Sequence, residues 1–371
     1  MNLSDLIGWI FRLLIALGGG VLMEYIFPAQ GWGWRVQDLL YSRFQPSSPD
    51  TQIVIVDIAQ LGRAELARLL LRLSEAGPKA IAIDAVFAEL RSPHEDTLWM
   101  QALCTAAKRT AVFLACSLDL SHEIEKAPIV PVSHELFTQC AQQAFANLLQ
   151  GDTVARIVRE CLLYTVSGKD TALSLGTIMA LMLRPSLRET IFTLPARMPI
   201  RYRGNLNHFY SLSGEEILAD SLPLSWLRHK VLFMGVADPL RRTMEDIFFS
   251  PLTSSFLNRS LPDMYGVVIH ANITSMLIHR DLFKELSREW AILGAFAAFM
   301  ILSLVSLQFR NTTWRPLVIR IMQIGLLWGG VELTLWLGEK GYWFPVEVCL
   351  WSILIAGEME LWRCPSSRFL V

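Results

Sequence analysis

The sequence carries few charges for its length. Its 371 residues include 33 Lys and Arg and 34 Asp and Glu, so 18% of the residues are charged and the net charge is −1. A soluble globular chain has about 25% charged residues. Because there is no basic excess, we expect no nucleic-acid partner. The hydrophobic content of 53% excludes a disordered chain, which needs low hydrophobicity and high net charge.

The sequence also lacks the short motifs that mark common catalytic and metal sites. It contains no HExxH pair, no CxxC pair, no GxSxG elbow and no glycine-rich phosphate loop. These patterns would indicate zinc hydrolysis, metal or redox chemistry, acyl transfer and nucleotide binding. We therefore expect no metal, no cofactor and no catalytic residue, and we interpret the protein as a non-enzyme.

Long apolar runs are abundant instead. A helix that crosses a bilayer needs about 20 mostly apolar residues. Four stretches approach this and together hold only seven charged residues: 6–27, 290–307, 318–337 and 344–362. We predict four transmembrane helices, one N-terminal and three C-terminal. The predicted organisation is an N-terminal anchor (1–27), an extracytoplasmic domain (28–289), a three-helix membrane segment (290–363) and a cytoplasmic tail (364–371).

Basic residues near the ends of the spans predict the orientation. Arg310 and Arg315 lie between the second and third spans, and Arg363 and Arg368 follow the fourth. Cytoplasmic loops carry an excess of Lys and Arg, so we place both segments in the cytoplasm. Residues 28–289 then lie outside the cytoplasm, on the periplasmic or extracellular side.

The large block between the first two spans alternates strand and helix patterns. The runs QIVIVD (52–57) and KAIAID (79–84) are typical of strands buried on both faces. A leucine-rich helical face over residues 63–76 separates them. This alternation predicts an α/β domain with a mixed, mainly parallel sheet and helices on both faces. Residues 231–236 add another buried strand, and 267–278 form a closing helix that leads toward the membrane.

Six short motifs in this block resemble, in order, those of the CHASE2 domain, an extracytoplasmic sensory module of bacterial signalling proteins. They are IVIVDI (53–58), AGPKAIAIDAVFAE (76–89), RYRG (201–204), KVLFMG (230–235), Asp246 with Ser250-Pro251, and GVVIHAN (266–272). The likeness spans about residues 36–283. It implies a sensor in the inner membrane of a bacterium, and we expect a stand-alone form without an attached output domain.

Two carboxylates follow buried strands. Asp57 and Asp84 each stand at the C-terminal end of a predicted parallel strand, the edge at which open α/β sheets bind ligands. Such a pair could bind a cation or a cationic ligand, or act as an acid–base pair. The alternative is that both side chains cap the loops that follow them.

Four further polar residues are ligand-binding candidates. Arg203 could receive an anion or pair with Asp246, and a structural salt bridge is the alternative. His270 and Asn272 stand near the start of the closing helix, where free backbone N–H groups favour anions. His270 is also a candidate for titration near periplasmic pH, with a hydrogen-bonded structural role as the alternative.

Charged residues inside the predicted spans are costly in lipid and are expected to face other helices or a partner. Arg320, Glu332 and Glu347 are the candidates for transmembrane coupling. Arg320 and Glu332 are 12 positions apart, which is about 18 Å along one helix, so they cannot easily pair within it.

Four cysteines lie in the predicted extracytoplasmic block, where disulfides can form. Cys116 stands inside the apolar run VFLACS and is expected to be a buried thiol. Among Cys104, Cys140 and Cys161, one disulfide could form, and the sequence does not assign it.

These observations favour a membrane-anchored sensor. Its extracytoplasmic domain would bind an unidentified small molecule, and its signal would pass to a separate cytoplasmic or membrane protein. A homodimer is compatible with the sequence. Two alternatives remain open: a structural subunit of a membrane complex and, ranked below it, a periplasmic hydrolase that uses Asp57 and Asp84.

The predicted topology can be tested with reporter fusions. A fluorescent protein that matures only in the cytoplasm should fluoresce when fused to the C-terminus and stay dark when fused after residue 289, because the basic segments hold their side of the membrane. An alkaline phosphatase fusion at the same two points is the control and should give the opposite pattern. A dark C-terminal fusion with an active phosphatase would overturn the orientation.

Overall fold

The structure is a computed structural model that describes residues 3–26, 36, 38–41, 48–119, 121–150, 156–167, 170–220, 222–239, 246–252 and 261–362. The predicted tail, 364–371, lies outside the described residues. The chain divides into two compact units, an α/β unit (Gln45–Leu282) and a helical unit (Met1–Phe44 with Phe283–Val371).

Ten α-helices are named here. In chain order they are α1 (Leu3–Ile26), α2 (Arg63–Glu75), α3 (Pro93–Ala107), α4 (Glu135–Thr138), α5 (Leu175–Leu183), α6 (Gly214–Leu218), α7 (Gly266–His279), α8 (Arg288–Gln308), α9 (Arg315–Glu339) and α10 (Val346–Leu361). Short 3₁₀ turns occur at Ile124–Lys126, Pro185–Glu189, Ile191–Thr193, Leu206–His208 and Ser225–Leu227.

The strands are mostly short. In chain order they are β1 (Asp50–Asp57), β2 (Ala80–Ile83), β3 (Ala111–Leu118), β4 (Ile129–Val130), β5 (Gln142–Phe145), β6 (Leu149–Gln150), β7 (Val158–Leu162), β8 (Tyr164–Ser167), β9 (Asp170–Leu173), β10 (Arg197–Pro199), β11 (Phe209–Ser213), β12 (Val231–Gly235), β13 (Ile247–Phe248), β14 (Met264–Tyr265), β15 (Lys284–Glu285) and β16 (Tyr342–Trp343).

A seven-stranded sheet forms the centre of the α/β unit. Its order is β11-β1-β12-β2-β3-β4, and β5 also pairs with β3. Every pairing in it is parallel except that of β4 with β3. The predicted α/β class with a mainly parallel sheet is therefore confirmed. Strand β12 lies between β1 and β2, so a late segment of the chain separates the first two strands.

Helices cover both faces of this sheet. Side chains of one face, such as Val54, Ile81 and Met234, join the core cluster that includes Leu69 of α2 and Trp99 of α3. Since successive strand residues point to opposite faces, the intervening residues face the other helical layer. That layer contains α5 and α7, and α7 contacts β1 and β12.

One buried ion pair joins the two helices of the first layer. Arg63, at the start of α2, pairs with Asp96 of α3, and both side chains are almost fully buried. The second carboxylate oxygen of Asp96 accepts hydrogen bonds from the backbone N–H groups of Arg91 (2.9 Å) and Ser92 (3.1 Å). The pair therefore anchors the segment after β2, which leads away from the C-terminal end of that strand.

Among its described residues, the helical unit contains three helices that are long and apolar enough to cross a membrane. The candidate spans are Leu6–Met23, Arg288–Gln308 and Arg315–Glu339. Our prediction of a fourth span at 344–362 is wrong, because α10 has only 16 residues. At a rise of 1.5 Å per residue it is about 24 Å long, shorter than the hydrocarbon layer of about 30 Å. Pro345 stands just before its start and its sequence contains Glu347, Glu358 and Glu360.

A disulfide connects Cys104 of α3 to Cys140, which precedes β5, with 4.9 Å between the two Cα atoms. Cys116 and Cys161 are buried free thiols. The structure thus selects one pairing among the three cysteines that the sequence left open.

We expect this disulfide to stabilise the α/β unit. The two cysteines are 36 positions apart, and closing a loop of that size in the unfolded chain is worth about 4 kcal/mol. A reducing agent should therefore lower the free energy of unfolding of the wild type by about that amount in urea titrations. The Cys104→Ser, Cys140→Ser double variant is the control and should not respond to the reductant. An unchanged wild-type transition would contradict the disulfide.

Candidate functional site

The C-terminal ends of β1, β12 and β2 lie side by side, because these strands are adjacent and parallel. Asp57 ends β1, Gly235 ends β12, and Asp84 follows β2. Helix α7 begins at the same edge, where Val267 packs against Gly235. We call this region, formed by Asp57, Asp84, Gly235, Asp246, Gly266 and His270, the carboxyl-edge site.

Asp57 performs a structural role in this site. Its Oδ1 accepts hydrogen bonds from the backbone N–H groups of Ala59 (3.1 Å) and Ala237 (2.9 Å). It therefore ties the loop after β1 to the segment after β12. This is the capping role that the sequence left as the alternative to ligand binding.

Asp84 and His270 face each other without a hydrogen bond. The Nε2 atom of His270 lies 3.9 Å from Oδ2 of Asp84, and the two side chains are 2% and 11% exposed. The Oδ2 atom of Asp84 and the Nδ1 atom of His270 are both buried without a hydrogen-bond partner among the described residues. An unsatisfied buried polar group costs about 1–3 kcal/mol, so both atoms are positioned to receive a ligand atom or a proton.

Asp246 brings a second carboxyl group to the same place. Its backbone is left-handed, with φ of 57°, a region in which Asp and Asn are the least strained residues after glycine. Its carbonyl oxygen accepts a hydrogen bond of 3.0 Å from the backbone N–H of Gly266. Asp246 is thus attached directly to the first turn of α7.

Two glycines allow the helix to approach the sheet this closely. A Cβ atom on Gly266 would lie 2.7 Å from Oδ2 of Asp246, and one on Gly235 would lie 2.8 Å from Cβ of Val267. Any side chain at either position would therefore displace its neighbour. The first turn of α7 is therefore packed tightly against the end of β12 and the Asp246 carboxyl group.

The electrostatics of the site follow from burial. Burial raises the pKa of Asp84 to about 7. Burial and the nearby charge of Asp84 raise the pKa of Asp246 to about 7. Burial also lowers the pKa of His270 to about 4, so this imidazole is neutral near pH 7 and supplies no countercharge. A protonated carboxyl group is favoured here because burial disfavours the charged form, and for Asp246 also because of the charge of Asp84.

The other predicted ligand residues form a separate cluster along α7. Arg203 donates from Nε to Ser275 Oγ (2.7 Å) and from Nη1 to the carbonyl oxygen of Ser48 (3.0 Å), and it lies 3.9 Å from the carboxylate of Asp50. Its ionic partner is therefore Asp50 and not Asp246. Asp50 also accepts hydrogen bonds from Ser275 (2.7 Å) and pairs with His279 (2.9 Å). The sequence patterns did not single out Asp50 or Ser275.

Asn272 clamps the RYRG segment to α7. Its Oδ1 accepts from the backbone N–H groups of Arg203 (2.8 Å) and Gly204 (3.2 Å), and its Nδ2 donates to the carbonyl oxygens of Gly204 and Val268 (2.9 Å each). These bonds satisfy both ends of its amide. The geometry gives Asn272 a positioning role.

In the helical unit, Arg320 of α9 pairs with Glu358 of α10, with 3.0 Å between Nη2 and Oε2. Glu332 and Glu347 are half-buried on α9 and α10.

A polar centre that the sequence did not reveal surrounds the fully buried Glu360, whose Oε1 accepts from Ser303 (3.1 Å) and lies 3.6 Å from Arg12 Nε. Arg315 also reaches it, donating to its carbonyl oxygen (2.5 Å).

The raised pKa values predict how stability depends on pH. Between about pH 4 and 7 the folded carboxyl pair binds more protons than the unfolded chain, so its contribution to the free energy of unfolding falls as pH rises. His270, with a lowered pKa, binds fewer protons when folded and opposes this trend below about pH 6.5. The carboxyl penalty is therefore complete above about pH 7.

The Asp84→Asn, Asp246→Asn double variant should consequently be more stable than the wild type above about pH 7, by about 2 kcal/mol or more. This advantage should disappear as the pH approaches about 4. Denaturant unfolding at a series of pH values measures it, with Glu123→Gln, Glu125→Gln on an exposed turn as the matched control. Equal stabilities of double variant and wild type at about pH 8 would show that the buried pair carries no charge penalty.

Comparison with known families agrees with these observations. A model of the CHASE2 domain matches residues 12–307, a range wider than the expected 36–283. It includes most of α1 and nearly all of α8 as well as the α/β unit. No curated protein and no solved structure matches the chain. Since the family model covers most of the chain, this protein belongs to the CHASE2 domain family, whose members are extracytoplasmic sensory domains.

Proposed function

We propose that the protein is a membrane-anchored sensor. Its α/β unit lies outside the cytoplasm of a bacterium and binds a ligand at the carboxyl-edge site, and its helical unit is inserted in the inner membrane with the connection between α8 and α9 in the cytoplasm. The domain has a binding role and catalyses no reaction. Its signal passes to a separate cytoplasmic or membrane protein.

One observation carries this proposal. Asp84 Oδ2 and His270 Nδ1 are buried without hydrogen-bond partners among the described residues, beside a second carboxyl group, Asp246, whose pKa is also raised. Functional sites concentrate such perturbed groups. A ligand that satisfies or neutralises these groups would recover the free energy that their burial costs, which makes the liganded state the more stable one.

The path of the chain supports a signalling role for the site. Helix α7 begins at the carboxyl-edge site with Gly266 and ends at His279, and α8 starts at Arg288. The connecting segment, 280–287, is short. Helix α7 and this short segment thus connect the carboxyl-edge site to the chain that enters the first C-terminal candidate span.

A cleft elsewhere on the α/β unit is a weaker candidate for the sensory site. It has a volume of about 620 Å³ and is lined by residues that include Arg72, Glu75, Asp220 and Arg228. Arg72 and Asp220 already pair with each other. The charges of the cleft are thus partly neutralised in its own wall, whereas the carboxyl-edge site has no such pairing for Asp84 and Asp246 among the described residues.

Polar contacts between helices offer a route through the helical unit. Arg320 and Glu358 join α9 to α10, and the Glu360 centre joins α1, α8, α9 and α10 through Arg12, Ser303 and Arg315. Because polar groups inside a membrane bundle have few alternative partners, a shift of α8 changes these contacts. Arg315 is buried in this centre, which leaves Arg310 as the more exposed basic residue of the connection for a partner to contact.

Hydrogen exchange of the full-length chain in lipid nanodiscs tests the proposal. The Asp84→Asn, Asp246→Asn variant mimics a neutralised, occupied site. It should slow amide exchange several-fold in the first turn of α7 and also in residues 280–290, because relief of charge repulsion tightens the packing of α7. Glu123→Gln, Glu125→Gln removes two carboxylates from an exposed turn and should leave both regions unchanged. Slowing confined to the site, with residues 280–290 unaffected, would contradict the sensor function.

A further inference from the structure

The ligand of the carboxyl-edge site can be named from its chemistry, and this inference rests on the proposed function. We propose that the site binds a proton as its ligand, held by the Asp84–Asp246 pair, and that release of this proton loosens the first turn of α7 from the sheet edge. The binding step is the addition of one H⁺ to the doubly ionised pair, which leaves one carboxylic acid and one carboxylate.

The geometry excludes a compensating charge within the described part of the site. The imidazole of His270 lies 3.9 Å from the Asp84 carboxyl group and is 2% exposed, and with its lowered pKa it carries no charge near pH 7. Asp57, the third carboxylate at this edge, already accepts two backbone N–H groups through one oxygen and adds negative charge. When both are ionised, Asp84 and Asp246 therefore repel each other, and the uncharged imidazole beside them does not offset this repulsion.

The elements packed around the pair contribute few other titratable groups. Strand β12 (VLFMG) and helix α5 (LGTIMALML) are uncharged, and the first turns of α7 carry only His270. Strand β1 contributes Asp57, and the segment after β12 contributes the buried Asp238, whose carbonyl oxygen accepts from Tyr265. The described surroundings thus disfavour two simultaneous negative charges.

A proton fits the site better than a metal ion or a larger cation does. Among the residues that the structure describes, no group of three or more His, Cys, Asp and Glu side chains could hold a metal ion. The close contacts at Gly235 and Gly266, with Cβ positions 2.8 and 2.7 Å from neighbouring atoms, leave no added volume beside the pair. A proton needs neither extra ligands nor space.

The same close contacts at Gly235 and Gly266 link the protonation of the carboxyl pair to the position of the first turn of α7. When both carboxyl groups are ionised, repulsion drives them apart. The carboxyl group of Asp246 lies directly against Gly266, where a Cβ atom would be 2.7 Å from its Oδ2, and the backbone of Asp246 is bonded to the Gly266 N–H at 3.0 Å, so repulsion at this carboxyl group acts on the first turn of α7. Burial, which raises the pKa of both groups to about 7, sets this transition near neutral pH, where changes outside the cell can reach it.

Infrared spectroscopy of the full-length chain in nanodiscs tests the proposal directly, because the C=O stretch of a protonated carboxyl group is separate from that of a carboxylate. The wild type should keep a protonated-carboxyl band at about pH 6 and lose it by about pH 8. In Asp84→Asn the remaining Asp246 no longer faces the charge of Asp84, so its proton affinity should fall by about tenfold or more. Asp246→Asn should have the same effect on Asp84. Both substitutions are isosteric, and Asn tolerates the left-handed backbone at 246.

Glu123→Gln, Glu125→Gln is the matched control and should leave the band and its titration unchanged. A wild-type chain whose carboxyl groups are all ionised by about pH 5, or single variants that leave the remaining titration unmoved, would overturn the shared proton.

These outcomes are separate from those of the exchange experiment. If the Asn variants protect residues 280–290 without a neutral-pH band in the wild type, the sensor stands and the proton is the wrong ligand. If the band titrates and residues 280–290 do not respond, proton binding stands and the sensor function fails.

Discussion

The packing of α7 on the sheet depends on one constraint, the burial of two carboxyl groups where the helix meets the end of the sheet. Asp84 follows a central strand, and Asp246 bonds through its backbone to the first residue of α7. Among the described residues, neither carboxyl group has a cationic partner, and the nearby His270 is neutral. Repulsion and desolvation therefore act directly on the contact that holds the helix against the sheet.

The topology of the sheet creates this arrangement. Because β12 is inserted between β1 and β2, the segment that follows β12 leaves the sheet beside Asp57 and Asp84. It returns at Asp246 and enters α7 after β14. The opposite end of α7 is held by polar contacts to Asp50 at the start of β1. The helix thus has a firmly bonded C-terminal end and an N-terminal end whose fit depends on charge.

Local patterns predicted the buried strands well, because β1, β2 and β12 are continuous apolar runs that few other structures accommodate. They did not predict that β12 separates β1 from β2, since pairing between distant segments is decided by packing of the whole sheet. Strand β11 was missed because it is not a continuous apolar run, and its residues Tyr210 and Ser211 are exposed at the sheet edge. The predicted fourth span was too long because its apolar composition does not show that the helix begins only after Pro345 and ends at Leu361.

The residues of the carboxyl-edge site could likewise be predicted only in part from the sequence. Asp57 and Asp84 could be identified from their positions after strands, but their different roles depend on which backbone N–H groups reach them. Gly235 and Gly266 matter through distances to atoms remote in the chain, and a sequence contains no such distances. Asn272 stands nearly two turns from the start of α7 at Gly266, and its amide is satisfied by the backbone of Gly204 and its neighbours instead of a ligand.

The central claim is that the charge of the Asp84–Asp246 pair controls how closely α7 packs on the sheet. The most direct measurement is a pair of high-resolution structures of the full-length chain, determined on either side of the carboxyl transition at about pH 5 and about pH 9. The account predicts that the Gly266 N–H to Asp246 hydrogen bond and the Gly235–Val267 contact persist at the lower pH and lengthen at the higher one. Identical positions of the first turn of α7 in both structures would contradict it.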